Sequence, residues 1–205
     1  MTNKYQLNSF NPDMLIIARQ SRGYTQKQLA DLISPIKQSK LSKIESGLQN
    51  INDADLELLA NTLNYPIDFF YQKDSLCAPS ISGLFHRKRS TISAKTLDKV
   101  HASIAIKCIQ VKKLLNSINI EHLPMPNYDT EDATPSEIAK MTRVLWNLPR
   151  GPIKNLIYVI ENAGGIIIPM DFETDKIDAI SRRTINDIPL FLLTSQDQWT
   201  AFVSP

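Results

Sequence analysis

Residues 25–47 read TQKQLADLISPIKQSKLSKIESG, two short helical patterns either side of a turn. Thr25 stands where an N-cap hydroxyl accepts from the free backbone N–H groups of a first helical turn. Behind it, Leu29 points inward and Ala30 is small enough for a neighbouring helix to cross closely. Over residues 38–46, Leu41 and Ile44 share one side of a helical wheel, joined from upstream by Ile36. The opposite face carries Ser39, Ser42 and Lys43, with Gln38 and Lys40 at its edges, and Gly47 ends the pattern as a helix stop. Every side chain on that face donates or accepts hydrogen bonds. Such a helix suits the DNA major groove, where Gln pairs bidentately with adenine and Lys reaches guanine or phosphate. A solvated face on an ordinary surface helix has the same composition.

Short helices separated by polar turns fill the surrounding chain. The spacing predicts them over 12–20, 26–33, 38–46, 54–63 and 66–71, with Asp53 as the N-cap of the fourth. Five helices in about seventy residues make a compact all-α domain, assigned to residues 1–74.

Gln26, Leu29-Ala30 and the run from Gln38 to Gly47 resemble the phage-repressor-like XRE family, over about residues 12–72. The resemblance implies a helix-turn-helix transcriptional regulator of the repressor type that binds double-stranded operator DNA as a homodimer. It implies that Gln26 holds a backbone phosphate while Gln38, Ser39 and Lys43 read base edges. Lys40, Ser42 and Asn50 become candidate phosphate contacts, and Glu45 a structural residue. The turn between Ala30 and Gln38 departs from the family pattern. It is one residue longer, lacks the usual glycine and contains Pro35, which restricts the backbone differently.

Beyond this domain the chain changes character. Residues 72–83 are polar and broken by Pro79, a linker pattern, and residues 84–89 form a short alternating, basic stretch. A long helix is expected over 94–117, because Leu97, Val100, Ile104, Cys108, Val111 and Leu115 recur at steps of three and four. Its other face reads as basic. Residues 85–122 carry eight Lys and Arg side chains against Asp98 and Glu121, whereas residues 1–74 hold eight of each sign. The overall net charge of +2 hides this asymmetry. That helix is a candidate for extra phosphate contacts, for dimerisation through its apolar face, or for a plain solvated connector. A second linker, 121–135, completes a middle segment of 75–135.

Residues 136–205 read as an incomplete α+β domain, with helices over 136–146 and 152–163 and strands over 166–170, 178–181 and 188–194. The fold class expected of the whole is therefore mainly α. The basic stretch at Phe85-His86-Arg87-Lys88-Arg89, the run from Trp146 to Leu156, and the segments from Ile160 to Pro169 and from Asp175 to Ser181 resemble regulators that fuse this DNA-binding domain to an ImmA/IrrE-type zinc metallopeptidase. In that family a helix with His-Glu-x-x-His follows, placing two imidazoles one turn apart for zinc and a Glu to activate water. No such motif occurs in this sequence, and its histidines, His86, His101 and His122, have no metal spacing. The expectation is a non-enzymatic chain with neither metal nor cofactor. One permitted codon choice for residues 198–205 followed by a TAG stop, read from the last base of the Gln198 codon, spells Met-Asp-Arg-Phe-Arg-Phe-Ser-Leu, which resembles the segment just before that zinc helix. A frameshifted ending, truncating the segment before its zinc motif, is the expectation. Strands near 166–168 and 190–193 would then lack cover, an aggregation or partner-binding liability.

No apolar run spans a bilayer and the first residues lack a signal-peptide block, so the chain is expected to be cytoplasmic. Cys77 and Cys108 are accordingly read as free thiols, with a disulfide between them as the alternative. A different class of function stays open at this point: a protein-interaction module, such as the antitoxin-like half of a toxin–antitoxin pair, using DNA binding for autoregulation.

Overall fold

The structure is a computed structural model, and it describes residues 9–73, 85–88, 92–115, 133–183 and 188–194. The chain divides into two compact units, one of residues 1–80 with 92–111, the other of residues 81–91 with 112–205.

In the first unit, α1 (Pro12–Ser21) starts at Asn11, whose side chain accepts from the Asp13 N–H at 3.1 Å. Pro12 takes the first helical position, where its missing N–H costs nothing. Asn11 also ties the start of the domain to its end, through Asn11 N to Phe70 O and Asn11 Nδ2 to Gln72 O, both 2.8 Å. Gly23 follows α1 with φ +70°, a left-handed turn that favours glycine. The expected cap of α2 (Gln26–Leu32) is present as a reciprocal box. Thr25 Oγ1 accepts from Gln28 N–H, and Gln28 Oε1 accepts from Thr25 N–H.

Helix α3 (Gln38–Glu45) follows a turn in which Ile36 N–H bonds Ile33 O at 2.7 Å. Ile33 and Ile36 are buried while Ser34 and Pro35 point outward, so the longer turn closes on two isoleucine anchors. None of its residues has a positive φ, which is why no glycine is required there. Gly47, at φ +71°, ends α3 as expected.

Helix α4 (Asp53–Leu63) begins one residue earlier than the sequence suggests. Its N-cap is Asn52, accepting from Asp55 N–H at 2.7 Å, and Asp53 is its first helical residue. The correction is local: two adjacent Asx residues compete for the cap, and an acidic side chain is equally at home in the first turn. The fifth predicted helix is a 3-10 turn over Ile67–Tyr71. The turn spans only five residues, too few for an α-helix to offset its nucleation cost.

Met14, Leu15, Leu29, Ile33, Ile36, Leu41, Ile44, Leu59, Leu63 and Phe70 form the centre of this unit, each at most 1% exposed. Each such side chain contributes roughly 1.5–3 kcal/mol of burial. Helix α5 (Ala94–Leu115) adds Ala102, Ile106 and Ile109 to the same cluster. These lie opposite the stripe of Leu97, Val100, Ile104, Cys108, Val111 and Leu115, on the face that the sequence reads as basic. Within the predicted stripe, Val100, Ile104, Val111 and Leu115 are buried as well. The helix is thus apolar on two faces, and Lys95, Lys99 and Lys113 share the side of Ala102, Ile106 and Ile109.

In the second unit, β1 (Phe85–Lys88), β2 (Ile166–Met170), β3 (Ile177–Arg183) and β4 (Pro189–Thr194) form a sheet in the order β1-β3-β4-β2. β3 runs antiparallel to both β1 and β4, and β2 pairs parallel with β4, Ile166 opposite Leu190. The apolar Pro-Leu-Phe-Leu-Leu run of β4 fits its interior place. β1 takes an edge and carries an irregularity at Arg87/Lys88.

Helix α6 (Pro135–Leu145) is capped by a Thr134–Glu137 box, and those hydrogen bonds hold the Glu137 carboxyl below its usual pKa. Helix α7 (Leu156–Asn162) starts four residues later than expected, after Asn155 caps the Tyr158 N–H. At Gly165 a Cβ would meet Ile160 Cγ2 at 2.6 Å and the Ile160 carbonyl at 3.0 Å, so the turn from α7 into β2 needs glycine.

The exposure expected of the strands falls elsewhere. Leu190 and Leu192 are fully buried and Ile166, Ile167 and Ile168 half-buried, whereas α6 and α7 bury no residue. Of the two expected linkers, residues 74–83 and 121–132 lie outside the described residues, as do Cys77, His122 and residues 195–205. Cys108 carries a thiol. Among the described residues no helix is long and apolar enough to cross a membrane, and no cluster of His, Cys, Asp and Glu is arranged to hold a metal ion.

Candidate nucleic-acid interface

The candidate surface is built outward from a buried ion pair. Arg19, on the inner side of α1, donates from Nε and Nη2 to the two carboxylate oxygens of Glu45 at 2.6 and 2.8 Å. Its Nη1 donates to Tyr24 O at 2.8 Å. Both side chains are almost wholly removed from water, 10% and 4% exposed, so each charge depends on the other. The pair joins α1 to the end of α3 and holds the residues that lead into α2.

Glu45 then reaches toward the surface. Gln26 Nε2 donates to Glu45 Oε2 at 2.8 Å, and Gln38 Nε2 donates to Gln26 Oε1 at 3.0 Å. An ionised carboxylate only accepts, so Gln26 must present its amino group to Glu45 and its carbonyl to Gln38. That obliges Gln38 to turn its own amino group toward Gln26. The Gln38 amide, exposed at the start of α3, keeps Oε1 and one Nε2 hydrogen for a ligand. An adenine presents the complement in the major groove, an N6 donor beside an N7 acceptor.

The other sequence-predicted residues sort by exposure. Ser39 and Lys43 lie one turn apart on α3, both exposed, with Ser42 half-buried beside them. Lys40 is half-buried, and its ammonium is ion-paired with the Asp55 carboxylate on α4. That contact ties α3 to α4 and gives Lys40 a structural engagement absent from the sequence reading. Asn50 is exposed in the loop after α3, where Leu48 and Gln49 N–H groups both bond the Lys43 carbonyl, at 2.9 and 3.1 Å. Gln26, Gln38 and Glu45 are thus brought into one chain of hydrogen bonds. Ser39, Ser42 and Lys43 share its helix, and Asn50 stands just beyond it.

Arg19 and Asp55 were not singled out as partners of this surface. A signal exists for Arg19: it falls four residues after Leu15 on the apolar side of α1, and Glu45 falls four after Leu41 on that of α3. Two opposite charges on inward faces need each other.

Residues 15–70 match the helix-turn-helix family model. This segment is an XRE-family helix-turn-helix domain. Its presence makes DNA binding the activity carried by this part of the chain, with α3 as the second helix of the motif. No curated protein and no solved structure matches the chain.

Proposed function

We propose that the chain is a sequence-specific transcriptional regulator of the repressor type, which reads operator DNA by laying α3 of its helix-turn-helix domain in the major groove. Gln38, Ser39 and Lys43 read base edges, while Gln26, Ser42 and Asn50 contact phosphates. Lys40 contributes a weaker phosphate contact, because its ammonium is shared with Asp55. The observation that carries this reading is the Glu45–Gln26–Gln38 hydrogen-bond chain, which orients the Gln38 amide before DNA arrives. A pre-set amide spares the ordering cost of fixing a long side chain on binding.

One such domain reads a short half-site, so the reading includes a homodimer on a two-fold operator. It takes residues 136–205 as an ImmA/IrrE-like segment that acts without zinc hydrolysis. Selection of bound duplexes from a random pool by the full chain tests the central part, with a two-fold symmetric motif expected. Recovery of no preferred sequence would overturn it. Metal analysis of the purified chain tests the last part, and zinc at one equivalent would contradict it.

A further inference from the structure

Lys95 is exposed in the first turn of α5, and its Nζ donates to Gln28 Oε1 at 3.3 Å. The same oxygen accepts from the Thr25 N–H at 3.0 Å. Thr25 precedes Gln26, whose amide is bonded to Gln38. The Lys95 ammonium therefore stands beside the chain of residues assigned to DNA, on a surface where Thr25, Lys27 and Gln28 are exposed.

Packing holds it there. Ala102, Ile106 and Ile109 lie in the core of the helix-turn-helix unit. The Lys99 stem crosses Gly23, where a Cβ would lie 3.4 Å from Lys99 Cδ. Lys95 is thus presented by a helix docked on the domain rather than by a free tail. Its partner is a neutral amide at a long distance, in contrast to Lys40 with its carboxylate. A phosphate oxygen offers an ammonium a shorter, charge-assisted hydrogen bond.

We propose that Lys95 contacts a DNA backbone phosphate next to the one held by Gln26, so that α5 belongs to the DNA-binding surface. This rests on the DNA-binding reading above. Such a contact positions the protein without reading sequence.

The test uses the full chain and the duplex that it selects from a random pool, with affinity followed from 50 to 200 mM salt for the unmodified protein and for Lys95→Ala, Lys95→Arg and Lys113→Ala. Lys113 is exposed near the other end of the same helix. Lys95→Ala is expected to weaken binding by one factor at all base variants of the site and to lower the salt slope by about one. Its loss of affinity over that salt range is then smaller by about threefold. Lys95→Arg retains the slope, Lys113→Ala leaves it unchanged, and melting temperatures stay together. An unchanged slope for Lys95→Ala, or an equal fall for Lys113→Ala, overturns the proposal, as does a fall in melting temperature that accounts for the weakened binding. If the unmodified chain selects no duplex, the DNA-binding reading fails and this proposal with it. If it selects one and responds to Gln38→Ala while Lys95→Ala keeps the slope, only this proposal fails.

Discussion

Arg19 and Glu45 occupy positions where two leucines would pack, and the reason lies in what Glu45 does next. A buried ion pair is a poor source of stability, since desolvation of both charges offsets their attraction. Here the carboxylate also receives Gln26, and through it orients Gln38. Removing one charge should be costly and removing both much less so. Arg19→Met or Glu45→Met alone is expected to destabilise the first unit by about 3–5 kcal/mol, whereas the double substitution recovers most of that loss. Urea unfolding of the four proteins measures the cycle; additive losses would show that the two charges do not depend on each other. The recovered double variant should still discriminate poorly at the base that Gln38 reads, because Gln26 is released.

Helix α5 shows where sequence periodicity stops being informative. Its stripe at Leu97, Val100, Ile104, Val111 and Leu115 is legible, and so are the bounds of α1 to α4 to within a residue. The docking face is not, because Ala102, Ile106 and Ile109 stand among Lys95, Lys99 and Lys113 and so read as polar. Lysine stems lie along apolar surface while their ammonium groups stay wet, so a docking face and a solvated one look alike in sequence. Similarly, the polar front of α3 was legible in the sequence, but the chain from Arg19 to Gln38 was not. Its members come from three helices, and no local spacing connects Arg19 to Glu45. If α5 is part of the first unit's core, Ile106→Ala should destabilise that unit by about 2–4 kcal/mol. Melting of the full chain, followed by a probe within residues 9–73, checks this; no shift would return α5 to the role of a connector. At the other end of the motif, loss of the Thr25 hydroxyl in Thr25→Ala should cost about 1 kcal/mol, measured by the same melts.

At the scale of the whole molecule, the two units differ in how they use apolar side chains. Helices α1 to α4 bury most of theirs in one cluster, with Leu32 of α2 left exposed, whereas α6 exposes Met141, Val144 and Leu145, and α7 exposes Leu156 and Tyr158. Local opening follows buried contact, so backbone amides of α6 and α7 should exchange with solvent faster than those of α1 to α4. Hydrogen exchange read by mass spectrometry measures this directly, and equal protection would contradict it. The central claim concerns the first unit: Gln38 reads a base, and its amide is oriented for that purpose. It is tested most directly by comparing the duplexes selected from a random pool by the unmodified chain, by Gln38→Ala and by Lys43→Ala. Gln38→Ala should lose preference at a single position of each half-site, at a cost of about 1–3 kcal/mol for the preferred duplex, with the rest of the motif intact. A loss spread uniformly over all sequences would contradict the account and make Gln38 a phosphate contact.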